Sequence, residues 1–164
     1  MALAATPRFE DISVGFKLPM LRKGPLTHVH LMRWSAAMEN WHRIHYDQAF
    51  AVDHDKLPGI LINGSLKQQF VMQSLADWAG PEGWAWKASF QFRAMSLAGE
   101  TLSIWAAVVD TQRGPDYGLV RLELGITNGE GKESTPGSAI VALPYRDGKP
   151  VPYPFVPPAV AFDN

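Results

Sequence analysis

Apolar and polar positions alternate through most of the second half of the chain, a pattern typical of half-buried β-strands. The alternation is clearest over residues 84–93, where one face carries Trp84, Trp86, Ala88, Phe90 and Phe92. Three further apolar runs, rich in β-branched residues, predict strands over residues 101–109, 117–127 and 138–143. The Asn-Gly-Glu-Gly sequence at residues 128–131 predicts a hairpin turn. We therefore expect four long antiparallel strands.

Helical spacing of apolar residues predicts two helices in the first half of the chain. Thr27 stands where an N-terminal cap is expected, and the apolar positions after it predict about three turns of helix. A longer helix is predicted over residues 64–78, because a wide apolar stripe continues until Gly80-Pro81 ends it. Residues 9–18 alternate more loosely and predict an N-terminal strand.

The order of these elements indicates an α+β fold in which one antiparallel sheet curls around one long helix. With 164 residues, the chain is expected to form a single domain over residues 1–164. Its proline-rich end, residues 144–164, is expected to be an extended arm and not a second domain. A curled sheet of this kind leaves an edge uncovered, so we expect a dimer.

Composition excludes several classes of protein. Hydrophobic residues make up 46% and charged residues 19%, which is an ordinary globular balance, and the net charge of −1 provides no field for nucleic acid or anionic membranes. The chain has no cysteine, so disulfides, thiol catalysis and thiolate metal sites are excluded, and a reducing cytoplasm is the expected location. We expect no signal peptide and no membrane span, because neither a basic N-terminal region nor a run of about 18 apolar residues is present.

Candidate chemistry is concentrated in residues 40–47 and at the start of the long helix. The first segment contains two histidines, an asparagine and Asp47, which is expected to cap a short helix over residues 48–52. The second begins at Gly64, whose N–H would stand at a helix N-terminus. Together, these segments can bring an acid/base group to an amide that binds an oxyanion.

Several segments resemble the MaoC-like hot-dog hydratases and dehydratases, which add or remove water at the 2,3-bond of acyl thioesters. The likeness lies mainly in N-W-H-R-I-H-Y-D at residues 40–47 and P-G-I-L-I-N-G at residues 58–64, a pairing found in the branch of mesaconyl-C4-CoA-type hydratases. Arg93, G-E-T-L at residues 99–102 and T-N-G-E-G at residues 127–131 extend it over roughly residues 9–144. The resemblance implies an α+β hot-dog fold, with the antiparallel sheet wrapped around a long central α-helix. It also implies a hydro-lyase that acts on an enoyl-CoA or mesaconyl-CoA-like substrate without a cofactor.

The widespread family motif D-x-N-P-x-H assigns the chemistry to its first Asp and its last His. On this sequence the His falls on His45 but the Asp falls on Asn40, and the usual H-G pair before the helix is Asn63-Gly64. The resemblance therefore implies that His45 is the acid/base group and that the Gly64 N–H faces the thioester carbonyl. Asn40 cannot exchange protons, but its amide can orient the water or fix the imidazole tautomer.

Other residues of the two segments are candidates for substrate binding. His42, Tyr46, Asn63 and Arg93 are expected to contact substrate, and His42 stays open as an alternative acid/base group. Glu39 is the only carboxylate next to Asn40 and could supply the missing acid, although solvation is its ordinary role. Further cations that could meet the CoA phosphates are Arg113 and Arg121. We expect no metal, because no third ligand follows the two histidines at a suitable spacing.

Three functions stay open at this point. The first is an enoyl-CoA hydratase or the reverse dehydratase, the second a hot-dog acyl-CoA thioesterase, which would release free CoA. The third is a non-catalytic hot-dog subunit that completes a partner's pocket, a possibility raised by Asn40. The expected partners are an acyl-CoA and further copies of the chain, in a homodimer or higher homo-oligomer, with a heteromer as the alternative.

Overall fold

The fold consists of one sheet and two α-helices, described here from a computed structural model of residues 5–159 and 162. The strands are β1 Leu21–Lys23, β2 Trp84–Phe90, β3 Leu102–Arg113, β4 Gly118–Thr127 and β5 Gly137–Leu143. The helices are α1 His28–Ala37 and α2 Gly64–Ala79. Shorter helical turns are 3₁₀ at Phe9–Asp11 and Arg43–His45 and π-helical at Phe50–His54. All strand pairs are antiparallel, and the order across the sheet is β1-β3-β4-β5-β2.

Helix α2 lies against one face of this sheet and forms the centre of the core. Its buried apolar side chains are those of Leu66, Phe70, Val71, Leu75 and Ala79. They share one cluster with every second residue of β3, namely Leu102, Ile104, Ala106 and Val108. Burying a leucine or isoleucine side chain completely contributes roughly 1.5–3 kcal/mol, so this contact is a main source of stability. The arrangement confirms the predicted α+β hot-dog fold.

The other face of the sheet is covered in part by the proline-rich end of the chain. Tyr117 and Val151 belong to a second apolar cluster there, together with Phe162. The Val151 N–H donates to the Glu82 carbonyl at 2.8 Å, and the Tyr117 hydroxyl donates to the Val156 carbonyl at 2.6 Å. After a turn at residues 145–148, the described part of this segment contains no helix or strand and packs on the sheet through these contacts.

The prediction of an N-terminal strand over residues 9–18 is wrong. Phe9–Asp11 forms a 3₁₀ turn, and Gly15 adopts φ +90°, which an extended strand does not allow. Residues 15–18 contact β3 through three backbone hydrogen bonds and an isolated bridge from Lys17 to Ala107. A regular strand of the sheet forms only beyond Pro19, in β1.

The other elements agree with the sequence apart from their ends. Helix α1 follows Thr27 as predicted, and its first turn is closed by His30 Nδ1, which accepts the Thr27 N–H at 3.1 Å. Asp47 Oδ1 accepts the Phe50 N–H at 3.0 Å, as expected of a cap, but the helical turn extends to His54. Strand β2 ends at Phe90, three residues early. In the part of the chain that is described, no helix combines the length and hydropathy needed to cross a membrane.

Candidate active site

His45 lies at the end of the 3₁₀ turn Arg43–His45 and is held by the chain that leads into α2. Its Nδ1 is 2.9 Å from the Leu61 carbonyl oxygen, and the Leu61 N–H donates back to the Ile44 carbonyl at 3.0 Å. A carbonyl oxygen can only accept, so Nδ1 carries the proton and Nε2 of the neutral ring keeps its lone pair. The backbone thus fixes the tautomer that a base acting through Nε2 requires.

The surroundings of His45 favour its neutral form. Partial burial lowers the pKa of the ring below the usual 6.5, and the neighbouring His42 lowers it further, while the hydrogen bond to Leu61 acts in the opposite direction. The two imidazole centroids are 6.2 Å apart. A histidine with a lowered pKa is available as a proton acceptor at neutral pH.

Gly64 is the first residue of α2, and Asn63 immediately before it is fully buried. Asn63 does not cap the helix: its Nδ2 donates to Ser35 Oγ at 3.2 Å, and its Oδ1 has no hydrogen-bond partner. The Gly64 N–H also lacks an acceptor among the residues that the structure describes. This amide therefore presents an unused donor at the positive end of the helix dipole.

A side chain at position 64 would meet an aromatic ring that lies directly over the glycine. A Cβ built there would be 2.9 Å from Phe92 Cε2 and 3.2 Å from Cδ2. Phe92 is 51% exposed, so its ring is also part of the surface around the site. The missing side chain keeps the backbone accessible beneath the ring.

His45 and Gly64 line one cavity of about 310 Å³. Its polar wall also includes Lys67, Arg93 and Ser96, and its apolar wall includes Leu61, Ile62, Phe92 and Met95. Of the residues proposed from the sequence, the structure thus brings together His45, Gly64 and Arg93. Among the residues that the structure describes, no carboxylate lines this cavity.

Three other predicted site residues lie nearby but outside the cavity. The Asn40 amide oxygen accepts the His42 N–H at 3.3 Å, so it shapes the turn that leads to His45. His42 itself is exposed. The Tyr46 hydroxyl donates to the Trp41 carbonyl at 2.7 Å, and Tyr46 lines a separate cavity beside α1.

The remaining candidates from the sequence lie away from this site. Glu39 is exposed, and Arg113 pairs with Glu10 at 3.4 Å. The guanidinium of Arg121 lies over the Phe162 ring at 4.4 Å. Within residues 5–159 and 162, no group of three or more His, Asp or Glu side chains is placed to hold a metal ion.

Lys67 is the residue of the site that sequence reasoning missed. It lies one turn after Gly64 in α2, is only 3% exposed, and its Nζ donates to the Ala94 carbonyl at 3.2 Å. Burial lowers the pKa of its ammonium group, while the charge of Glu100 acts to raise it. The available signal was its i+3 spacing from Gly64, which puts both residues on one face of the helix.

Among the comparisons with known proteins, a family model shows the family and solved structures show the kind of fold. A model of the family "hydroxyacyl-thioester dehydratase type 2" matches residues 17–100, which is 84 of the 164 residues. A search of curated protein sequences found no match.

Three solved structures illustrate the similarity. R-hydratase PhaJ1 from Pseudomonas aeruginosa is 19% identical with a TM-score of 0.73, over 94% of this chain and 96% of that one. A MaoC-like dehydratase from Rhodospirillum rubrum is 17% identical with a TM-score of 0.74, over 85% of this chain and 98% of that one. A chain of the ChsH1-ChsH2 complex from Mycobacterium tuberculosis is 19% identical with a TM-score of 0.69, over 80% of this chain and 98% of that one. At these identities the similarity shows the fold.

Proposed function

The chain belongs to the hydroxyacyl-thioester dehydratase type 2 family, and on this premise we propose that it adds water to, or removes it from, the 2,3-position of an acyl thioester. The observation that supports this activity best is the presence of His45 and the unused Gly64 N–H in one cavity. Hydration requires a base for water, a proton for the α-carbon and stabilisation of the enolate oxygen. These two groups can meet all three requirements.

In the proposed hydration, Nε2 of His45 takes a proton from water as the oxygen adds to C3 of the enoyl thioester. The electron pair of the double bond moves onto the thioester carbonyl, where the Gly64 N–H and the helix dipole stabilise the enolate oxygen. The imidazolium then returns its proton to C2, so the ring ends in its starting state. Dehydration follows the same steps in reverse. No electrons enter or leave, so the chemistry calls for no redox cofactor.

The roles proposed for the neighbouring residues follow from their positions. Arg93 is exposed at the cavity and is a candidate for contact with the CoA part of the substrate. Asn40 shapes the turn that carries His45. Asn63 is buried directly before α2, where its hydrogen bond to Ser35 helps to hold the start of the helix in place. His42 and Tyr46 lie outside the cavity, so any contact they make is with the more distant parts of the substrate.

We propose an enoyl-CoA as the substrate and a homodimer as the assembly. Strand β2 is at one end of the sheet, where its free edge can pair with a second copy. The mesaconyl-type branch stays a prediction, because the matched family and the similar structures carry more general names.

A panel of purified enoyl-CoA thioesters, including crotonyl-CoA and mesaconyl-type thioesters, tests the proposed function. Loss of the conjugated double bond without release of free thiol is the expected result. Release of free CoA would instead identify a thioesterase. The absence of any turnover over the whole panel would contradict the proposal and favour the partner-subunit alternative, which Asn40 in place of the motif aspartate supports.

A further inference from the structure

Lys67 is a buried cation for which the proposed function has no role so far. The residue is 3% exposed, and among the described residues its one hydrogen-bond acceptor is the neutral Ala94 carbonyl. An ammonium group has three donors, and burial without a counter-ion is unfavourable. No carboxylate in the described part of the chain lies within ion-pair distance of it.

The charge around Lys67 increases this cost. Lys67 lies in the first turn of α2, where the helix dipole is positive and a cation is disfavoured. The cavity that it lines also contains the cation Arg93, and among the described residues no carboxylate lines it. The acid that acts on it electrostatically, Glu100, is too far away for an ion pair, and Glu100 Oε2 has no hydrogen-bond partner. An excess of positive charge around a cavity is what an anion-binding site requires.

The ammonium group of Lys67 lies on the side of the cavity where Gly64 is. Helical side chains lean toward the N-terminus of their helix, so the Lys67 side chain extends toward Gly64. Its Nζ lies 5.1 Å from the centroid of the Phe92 ring, which is the ring that covers Gly64. Ser96 Oγ adds an independent observation, since Ser96 lines the same cavity, is 2% exposed and has no hydrogen-bond partner for its hydroxyl.

We propose that Lys67 binds an anionic oxygen of the acyl thioester, beside the amide of Gly64. This inference rests on the proposed function, because it assumes an acyl thioester in the cavity. Two sources can supply the oxygen: the enolate formed during the reaction, or a carboxylate carried by the acyl chain. In both cases the Lys67 ammonium group would bind a negatively charged oxygen. The two cases differ in whether substitution of Lys67 changes kcat or the binding of a carboxylate-bearing thioester.

The test compares Lys67→Met and Lys67→Gln with wild type, and uses Lys149→Met as the control that removes an exposed lysine. Both substitutions at residue 67 remove an uncompensated buried charge at similar side-chain volume, so thermal melting should not fall. Calorimetric binding of butyryl-CoA and succinyl-CoA, which have no double bond to hydrate, measures recognition without turnover. Hydration of crotonyl-CoA and of a carboxylate-bearing enoyl-CoA measures the reaction.

If the enolate is the partner, both variants lose at least tenfold in kcat with both substrates and bind both saturated thioesters as wild type does. If a fixed carboxylate is the partner, both variants bind succinyl-CoA at least tenfold more weakly and butyryl-CoA normally. Either result supports the proposal, provided that Lys149→Met behaves as wild type. Wild-type binding and wild-type kcat in both variants would overturn it.

The same experiment separates failure of this inference from failure of the proposed function. If the wild-type protein hydrates enoyl-CoA and both Lys67 variants bind and hydrate as it does, the proposed function stands and the anion site is overturned. A wild-type protein that hydrates nothing but binds succinyl-CoA through Lys67 overturns the function and supports the anion site. A wild-type protein that neither binds nor hydrates any of these thioesters overturns both.

Discussion

Replacement of Gly64 by valine should abolish most of the activity while leaving the fold intact. A Cβ at this position would lie 2.9 Å from Phe92 Cε2, and the two further methyl groups of valine would extend into the space above the amide. The Phe92 ring is half exposed and can move aside, and in a helix valine is no less favourable than glycine. We therefore expect the free energy of unfolding to change by no more than about 1 kcal/mol.

The effect on catalysis should be much larger. Loss of one oxyanion donor typically lowers kcat by about 10²–10³-fold, or roughly 2.7–4 kcal/mol of transition-state stabilisation. Blocking the approach of the carbonyl to the Gly64 N–H should cost a similar amount. The assay is kcat/KM for hydration of the best enoyl-CoA, with urea unfolding measured on the same preparations.

Two controls make the result specific. Gly129→Val places the same side chain in a turn where an added Cβ meets nothing within 4 Å, so its turnover should be unchanged. The double variant Gly64→Val/Phe92→Leu gives the new side chain more room and should stay nearly inactive. Recovery of the rate in the double variant would show that the displaced ring, and not the blocked amide, caused the loss. A folded Gly64→Val protein with wild-type kcat/KM would refute the oxyanion assignment outright.

Three other predictions test the surroundings of the site. Burial and His42 lower the pKa of His45, so the acidic limb of the pH profile of kcat/KM should have its midpoint below pH 6.5. His42→Ala should move that midpoint upward, and a downward move would contradict the assignment of His45 as the base. Asn40→Ala should lower kcat by about tenfold, because it loosens the turn that carries His45. Asn40→Asp keeps an acceptor for the His42 N–H, so its kcat should stay near that of wild type, and equal losses in the two variants would exclude this positioning role. Light scattering should give twice the chain mass of 18.1 kDa at micromolar concentration, and a monomer there would refute the dimer.

The pattern of the chain was sufficient for the long elements, because their burial is periodic. Helix α2 buries one face and β3 alternates over residues 102–108, whereas β4 and β5 are nearly continuous buried apolar runs, so helical spacing, alternation or a bounded apolar run locates each element within a few residues. The pattern failed over residues 9–18, where Gly15 turns the backbone and Phe9 is buried beside Tyr145. Loose alternation does not distinguish a strand from an irregular segment whose apolar residues are buried one at a time.

The site was only partly accessible to the same reasoning. His45 and Gly64 lie in the two segments that resemble the hydratase family, residues 40–47 and 58–64, and the chain between them is short enough to bring them together. Lys67 was not identified, because a lysine on an amphipathic helix is normally solvated. Its burial depends on the segment after β2, whose Phe92 and Ala94 contact the ammonium group. The spacing of apolar residues within α2 cannot reveal a contact with a segment that is distant in sequence.

The most direct test of the proposed mechanism is the hydration rate of His45→Ala, compared with His42→Ala and with His28→Ala as an exposed control on α1. Removal of the proton carrier should lower kcat/KM by about 10²–10⁴-fold without a matching loss of thermal stability. We expect this loss for His45→Ala, activity within about tenfold of wild type for His42→Ala, and no change for His28→Ala. A fully active His45→Ala protein beside an inactive His42→Ala protein would contradict the assignment of His45, because the base would then be the exposed histidine outside the cavity.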